Sequence, residues 1–134
     1  MAMVVFLLIS SFTVQLYAEG TQGKQYVNIT AVEASALIAK NLKNTDFKIL
    51  DVRTPGEYSE GHIKNSTMID FYADDFLTRI KELDKSKTYL IYCRSGNRSG
   101  KTLTMMENLG FSKVYNMLGG IRSWTRSQLP LVQD

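Results

Sequence analysis

Thr88-Tyr89-Leu90-Ile91-Tyr92-Cys93-Arg94-Ser95-Gly96-Asn97-Arg98-Ser99 is the stretch on which the reading of this chain turns. Tyr89 to Tyr92 is a short apolar run rich in β-branched and aromatic side chains, and the residues after it break the pattern, so it reads as a strand. Cys93, the only cysteine in the chain, stands at its end. Lys101 to Leu109 then reads as a helix, with Leu103, Met106 and Leu109 on one face and Gly110 as the stop. A thiol thus sits at the C-terminal end of a strand, ahead of a tight polar loop and a helix start. Open α/β sheets place their ligand sites at such strand ends.

The loop has a physical logic. Gly96 and Asn97 tolerate left-handed backbone, so the chain can curl back over the sulfur and aim successive N–H groups at it. The helix that follows adds partial positive charge, and Arg94 and Arg98 add full charges. Each contribution favours the thiolate, the nucleophilic form of cysteine. A lone cysteine at a strand end is ordinarily a small buried hydrophobe. Packing, however, gives no reason for two arginines and a glycine directly after it.

The segment Cys93-Arg94-Ser95-Gly96-Asn97-Arg98-Ser99 resembles the active-site loop of rhodanese-type sulfurtransferases. Asp51-Val52-Arg53-Thr54-Pro55-Gly56-Glu57-Tyr58, followed by Glu60-Gly61-His62-Ile63, is similar to the same family's D-V-R…E-[FY]…G-H-I segment. Leu118-Gly119-Gly120-Ile121 with Trp124 is similar to its C-terminal L-x-G-G…W segment. The three occur in order across one domain from about Tyr26 to Leu131. The resemblance implies an α/β fold in three layers, with a mostly parallel central sheet of about five strands and helices on both faces. It also implies that Cys93 carries sulfane sulfur as a persulfide, with Arg94 to Ser99 holding the substrate.

At 134 residues, 44% apolar and 22% charged, the chain is sized for one globular domain able to bury a core. The net charge of +3 is too small for the dense basic stripe of a nucleic-acid binder. Its distribution says more. Residues 1–87 carry 10 Lys/Arg and 11 Asp/Glu, net −1, whereas residues 88–134 carry 6 and 2, net +4. The positive excess falls on the part that contains the Cys93 loop and favours a small anionic substrate.

Residues 1–18 read as a signal peptide, leaving residues 19–134 as the single domain. Val4 to Val14 is apolar but too short to span a membrane, and Ala18 is a small residue ahead of a polar, glycine-rich junction. The absence of Lys or Arg before the run and the bulk of Leu16 count against this reading. Export to a bacterial periplasm is the expectation.

Along the rest of the chain, Tyr26 to Ile29 reads as a strand. Thr30 and Glu33 form a capping box for a helix to about Lys40, with Val32, Ala36, Leu37 and Ala39 expected inward. Phe47 to Val52 and Thr67 to Phe71 read as buried parallel strands. Asp74 to Leu83 reads as a helix capped by Asp74 or Asp75, Lys113 to Asn116 as the last strand, and Ile121 to Gln128 as a closing helix with Trp124 inward. Asp51 and Arg53 read as an ion pair or a loop clamp with Glu57, and His62 as a scaffold residue. The methionines read as core filler. One cysteine and one histidine with no ligand spacing give no metal site, and no cofactor is expected.

Three function classes follow. The leading one is a sulfurtransferase in which Cys93 attacks a small anionic donor, thiosulfate or polysulfide, and passes the sulfur to a thiol, cyanide or sulfite acceptor. The absence of a second, resolving cysteine speaks against thioredoxin-like chemistry. A phosphatase or arsenate reductase on a related fold is the second class. Such loops place five residues between Cys and Arg, whereas four lie between Cys93 and Arg98. A non-catalytic binding module is the third. No stable membrane association is expected after signal removal, and the chain is read as a monomer or homodimer.

Overall fold

The computed structural model describes residues 23–133, so the proposed signal peptide lies outside the described residues. Strand and helix alternate throughout: β1 (Gln25–Ile29), α1 (Ala31–Lys40), β2 (Phe47–Asp51), α2 (Pro55–Glu60), β3 (Ser66–Met68), α3 (Phe76–Glu82), β4 (Thr88–Tyr92), α4 (Asn97–Asn108), β5 (Lys113–Met117) and α5 (Gly120–Arg126). The strands form one five-stranded sheet in the order β1-β5-β4-β2-β3, with every pairing parallel. All strands therefore end on one rim.

β4 lies at the centre, and this explains its unbroken apolar character. Side chains alternate across a strand, so a strand covered on both faces needs apolar residues at every position. Tyr89, Ile91 and Cys93 enter the core beneath α3 and α4, with Leu50, Val52, Phe76, Ile80, Met106 and Phe111. Leu90 and Tyr92 enter the opposite core beneath α1 and α5, with Ile29, Ala34, Ile49, Met117 and Trp124. Each large apolar side chain fully buried here is worth roughly 1.5–3 kcal/mol. Cys93 thus inherits its direction from the period of β4.

Several local expectations need correction. The Thr30–Glu33 capping box forms on both sides, but α1 packs a different stripe. Ala31 and Ala34 are buried and Leu37 and Ile38 half-buried, whereas Val32 is 64% exposed and Ala36 and Ala39 face solvent. The stripe follows i, i+3, i+7 from the first helical residue, and only the tertiary contact with α5 selects it. The strand expected over Thr67 to Phe71 shrinks to Ser66–Met68 and forms the sheet edge. Ile69 and Phe71 still donate backbone bonds to the carbonyls of Asp51 and Val52. α3 starts at Phe76, and its N-cap Asp75 makes no side-chain cap bond.

Gly119 and Gly120 bring α5 against the Cys93 loop. Gly120 has φ 55°, and a Cβ there would stand 2.4 Å from the Cys93 carbonyl oxygen and 2.5 Å from the Arg94 carbonyl carbon. Gly120→Ala should therefore cost about 2–4 kcal/mol from left-handed strain plus overpacking. Gly56, whose Cβ would meet nothing within 4 Å, serves as the control. Gly56→Ala should change stability by less than about 1 kcal/mol. Urea midpoints of the two variants check this, and equal midpoints would remove the close-approach argument.

Candidate active site

The Cys93 sulfur sits in a ring of donors. Gly96 N–H donates to Sγ at 3.1 Å and Ser99 N–H at 3.4 Å, with the Ser99 hydroxyl 3.4 Å away. Burial pushes the thiol up, but the Ser99 hydroxyl and the N–H groups of Ser99, Gly96 and Ser95 outweigh it, so the thiol lies below its ordinary value. Cys93 is 0% exposed, so its sulfur lies beneath the loop surface and not on it.

The loop is tighter than the sequence suggests. α4 begins at Asn97, four residues before the expected start at Lys101, so only Arg94 to Gly96 separate Cys93 from the helix. Gly96 alone takes the left-handed conformation, φ 96°, and turns the chain straight into α4. The first turn of that helix, Asn97 to Gly100, has no apolar side chain, so it carries no apolar period to betray it. A Cβ on Gly96 would lie 3.2 Å from Gly119 N, so the turn before α5 also limits this residue.

The two loop arginines go separate ways. Arg94 is exposed at the surface beside Ser95 and Asn97. Arg98 turns back to Glu57 in a two-pronged ion pair, Nη1 to Oε1 at 2.7 Å and Nη2 to Oε2 at 2.9 Å, with its guanidinium 5.5 Å from the Tyr72 ring centre. The sequence leaves Asp51 and Arg53 as an ion pair or as a clamp on Glu57; the ion pair forms, and Glu57 goes to Arg98. The overlooked signal was Thr54-Pro55-Gly56-Glu57, a second capping box with proline at the helix start, which builds α2 and sets Glu57 facing Arg98.

Arg53 instead pairs with Asp51, Nη2 to Oδ2 at 2.8 Å, and donates to the Gly61 carbonyl at 2.7 Å. Asp51 is 0% exposed and Arg53 4%, so this is a buried clamp between β2 and the end of α2. His62 stacks on Tyr58, with ring centres 3.7 Å apart, and its backbone bridges Val132, as suits a scaffold residue. Trp124 is buried and donates to the Pro130 carbonyl at 2.9 Å.

A polar hollow of about 360 Å³ opens over the loop, lined by Glu57, Tyr72, Arg94, Ser95, Asn97, Arg98 and Arg122. Among the described residues neither Arg94 nor Arg122 is ion-paired, whereas Arg98 is neutralised. Tyr72 and Arg122 were not foreseen as part of this mouth. A hollow of about 370 Å³ beside the start of β2 lies away from the thiol and is lined by none of the Cys93 loop residues.

A parallel α/β sheet with a cysteine ringed by N–H donors at a central strand end defines a class of domains that carry a thiol at the sheet rim. Residues 34–127 match the rhodanese-like domain, and the chain belongs to that family. A sulfurtransferase of Allochromatium vinosum is 30% identical over 104 residues, which cover 78% of this chain and 95% of the relative. The thiosulfate sulfurtransferase GlpE of Coxiella burnetii is 31% identical over 103 residues, 74% and 87% of the two chains. The crystal structure of a rhodanese-related protein from Thermoplasma volcanium has a TM-score of 0.67 at 32% identity, covering 81% of this chain and all of the other.

The Glu57–Arg98 pair gives a pH signature. Hydrogen bonding from Arg98, opposed by burial and reinforced by the Arg98 charge and by Thr54, holds the Glu57 carboxyl at about 2 against an ordinary 4.5. A lowered folded value means that its stabilisation is complete above the ordinary value and is lost as pH falls toward 2. Discounted for solvent screening, Glu57→Gln should cost about 1 kcal/mol at neutral pH. The gap from wild type should close between pH 4.5 and 2. Urea midpoints across that range check it, and a gap independent of pH would refute it.

Proposed function

We propose that this chain is a sulfurtransferase that moves sulfane sulfur from thiosulfate or polysulfide to a thiophilic acceptor through a persulfide on Cys93. The observation that carries this reading is the ring of donors around Sγ, which stabilises a sulfur anion without placing a full charge against it. The Cys93 thiolate attacks the outer sulfur of thiosulfate, the donor's S–S bond breaks, and sulfite leaves with the electron pair. The acceptor (a thiolate, cyanide or sulfite) then attacks the outer sulfur, and Cys93 leaves as the thiolate. The loop from Arg94 to Ser99 holds the substrate. Within it, Arg94 meets the anionic donor at the mouth, and Arg98 acts chiefly by anchoring α4 to α2.

Two features weigh against phosphoryl transfer. The loop is too short to ring a tetrahedral phosphoryl group, and its arginine is committed to Glu57. A non-catalytic module would have no use for a thiol held below its ordinary value. We also propose export, with a mature chain beginning near Glu19. N-terminal sequencing of the protein from its native host tests this, and an intact Met1 would refute it.

Mass spectrometry after thiosulfate or polysulfide treatment should find one added sulfur on Cys93. Cys93→Ser should lose the adduct and all transfer while remaining folded, and turnover near wild type in that variant would sink the covalent route. Arg94→Ala should slow the donor step tenfold or more, the loss of roughly 1.5–3 kcal/mol of charged hydrogen bonding. Arg98→Ala should act more on stability than on that rate. The alkylation rate of Cys93 against pH should show a midpoint below that of a free thiol, and Ser99→Ala should raise it.

A further inference from the structure

A strip of arginines leads away from the mouth of the site. Arg122 and Arg126 lie four residues apart on α5, so they project from the same side on successive turns, with Cβ atoms roughly 5–6 Å apart. Both are exposed, as is Arg94. A second hollow, of about 440 Å³ and lined by Arg94, Ile121, Arg122, Thr125 and Arg126, adjoins the one over the loop and shares Arg94 and Arg122 with it. Among the described residues none of the three arginines is ion-paired, and residues 113–133 contain no Asp or Glu. Glu57, the acid that lines the inner hollow, is committed to Arg98, so the three arginines keep their charge.

Placing like charges one turn apart costs stability, so packing does not explain the arrangement. A small donor at Cys93 accounts for Arg94 and Arg122 but not for Arg126, which lines only the outer hollow. An extended anion accounts for all three. Three charges in single file are too few for a nucleic-acid footprint or for the cluster of basic residues that holds an anionic membrane. Ile121, half-buried against the core, and the exposed Thr125 line the same hollow and add apolar and hydroxyl contact of the kind a polypeptide uses.

We propose that this strip docks an acidic polypeptide segment whose thiol is the acceptor of the Cys93 sulfur. The proposal rests on the sulfur-transfer reading above. The peptide thiolate attacks the outer sulfur of the Cys93 persulfide, a peptide persulfide forms, the bond from that sulfur to Cys93 Sγ breaks, and Cys93 returns to thiolate. Docking against complementary charge speeds encounter and sets orientation.

The test uses the full chain loaded with sulfur from thiosulfate and two synthetic peptides, each with one terminal cysteine. One is built of Glu and Ser, the other of Ser alone. At low salt the acidic peptide should discharge Cys93 about tenfold faster, and salt should erode the advantage. Arg126→Glu should remove most of that advantage and Arg126→Lys should keep most of it, with thiosulfate loading and cyanide discharge unchanged in both. Equal rates for the two peptides would overturn the proposal. So would an Arg126→Glu variant that loses thiosulfate loading in the same proportion, because the strip would then serve the small donor. Displacement of the acidic peptide by phosphatidylserine vesicles that bind more tightly would assign the strip to a membrane and overturn it as well. If Cys93 takes up no sulfur, the sulfur-transfer reading itself fails. Polarisation of a labelled acidic peptide with serine in place of cysteine then reads the docking surface alone. Binding lost in Arg126→Glu supports that surface, and no binding to wild type overturns it.

Discussion

The structure depends on how closely two backbone turns approach each other at the ends of β4 and β5. The carbonyl of Cys93 accepts from Ile121 N–H at 2.8 Å, and that of Arg94 accepts from Arg122 N–H at 3.1 Å. The first N–H groups of α5, which a helix start leaves unpaired, are thereby satisfied by the loop. The same bonds turn the loop carbonyls outward, which leaves the loop N–H groups facing the sulfur. One contact thus closes the fold and orients the donors. It is possible only because position 120 has no side chain.

Charge is distributed with similar economy. The sulfur is surrounded by neutral dipoles, while the loop's nearest committed cation, Arg98, is neutralised by Glu57. A buried charge is costly unless it is paired, and Asp51 with Arg53 shows the same rule deeper in the fold. The unpaired arginines stay at the surface, where water solvates them and an incoming anion can meet them. Dipoles inside and full charges outside separate stabilising the thiolate from attracting its partner.

The places where the sequence misled have distinct physical causes. Val32 and Ala36 looked inward because several apolar stripes fit α1, and contact with α5 chose among them. The strand from Thr67 was drawn too long because apolar Ile69 and Phe71 enter the core from a turn as readily as from a ladder. The first turn of α4 gives no apolar signal because its residues are polar or glycine, buried Ser99 included. α2 is only six residues long and buries none of them, so its capping box at Thr54 and Glu57 is the one local signal it offers.

What the sequence by itself determined is local in origin. The alternating strands and helices apart from α2, the unbroken apolar run of β4, the capping box at Thr30, the turn glycine at position 96 and the lone cysteine at a strand end all follow from periodicity and backbone conformation within a few residues. What only the tertiary structure decided is pairing at a distance. Arg98 has two carboxylates of the D-V-R…E segment within reach of a plausible fold, Asp51 and Glu57, and nothing in the linear chain ranks them. The parallel sheet does, because it buries Asp51 beside Arg53 and carries Glu57 on α2 to the rim where α4 begins. Ion pairs across 41 residues depend on where rigid elements end in space, and that is a property of the packed sheet and not of any segment within it.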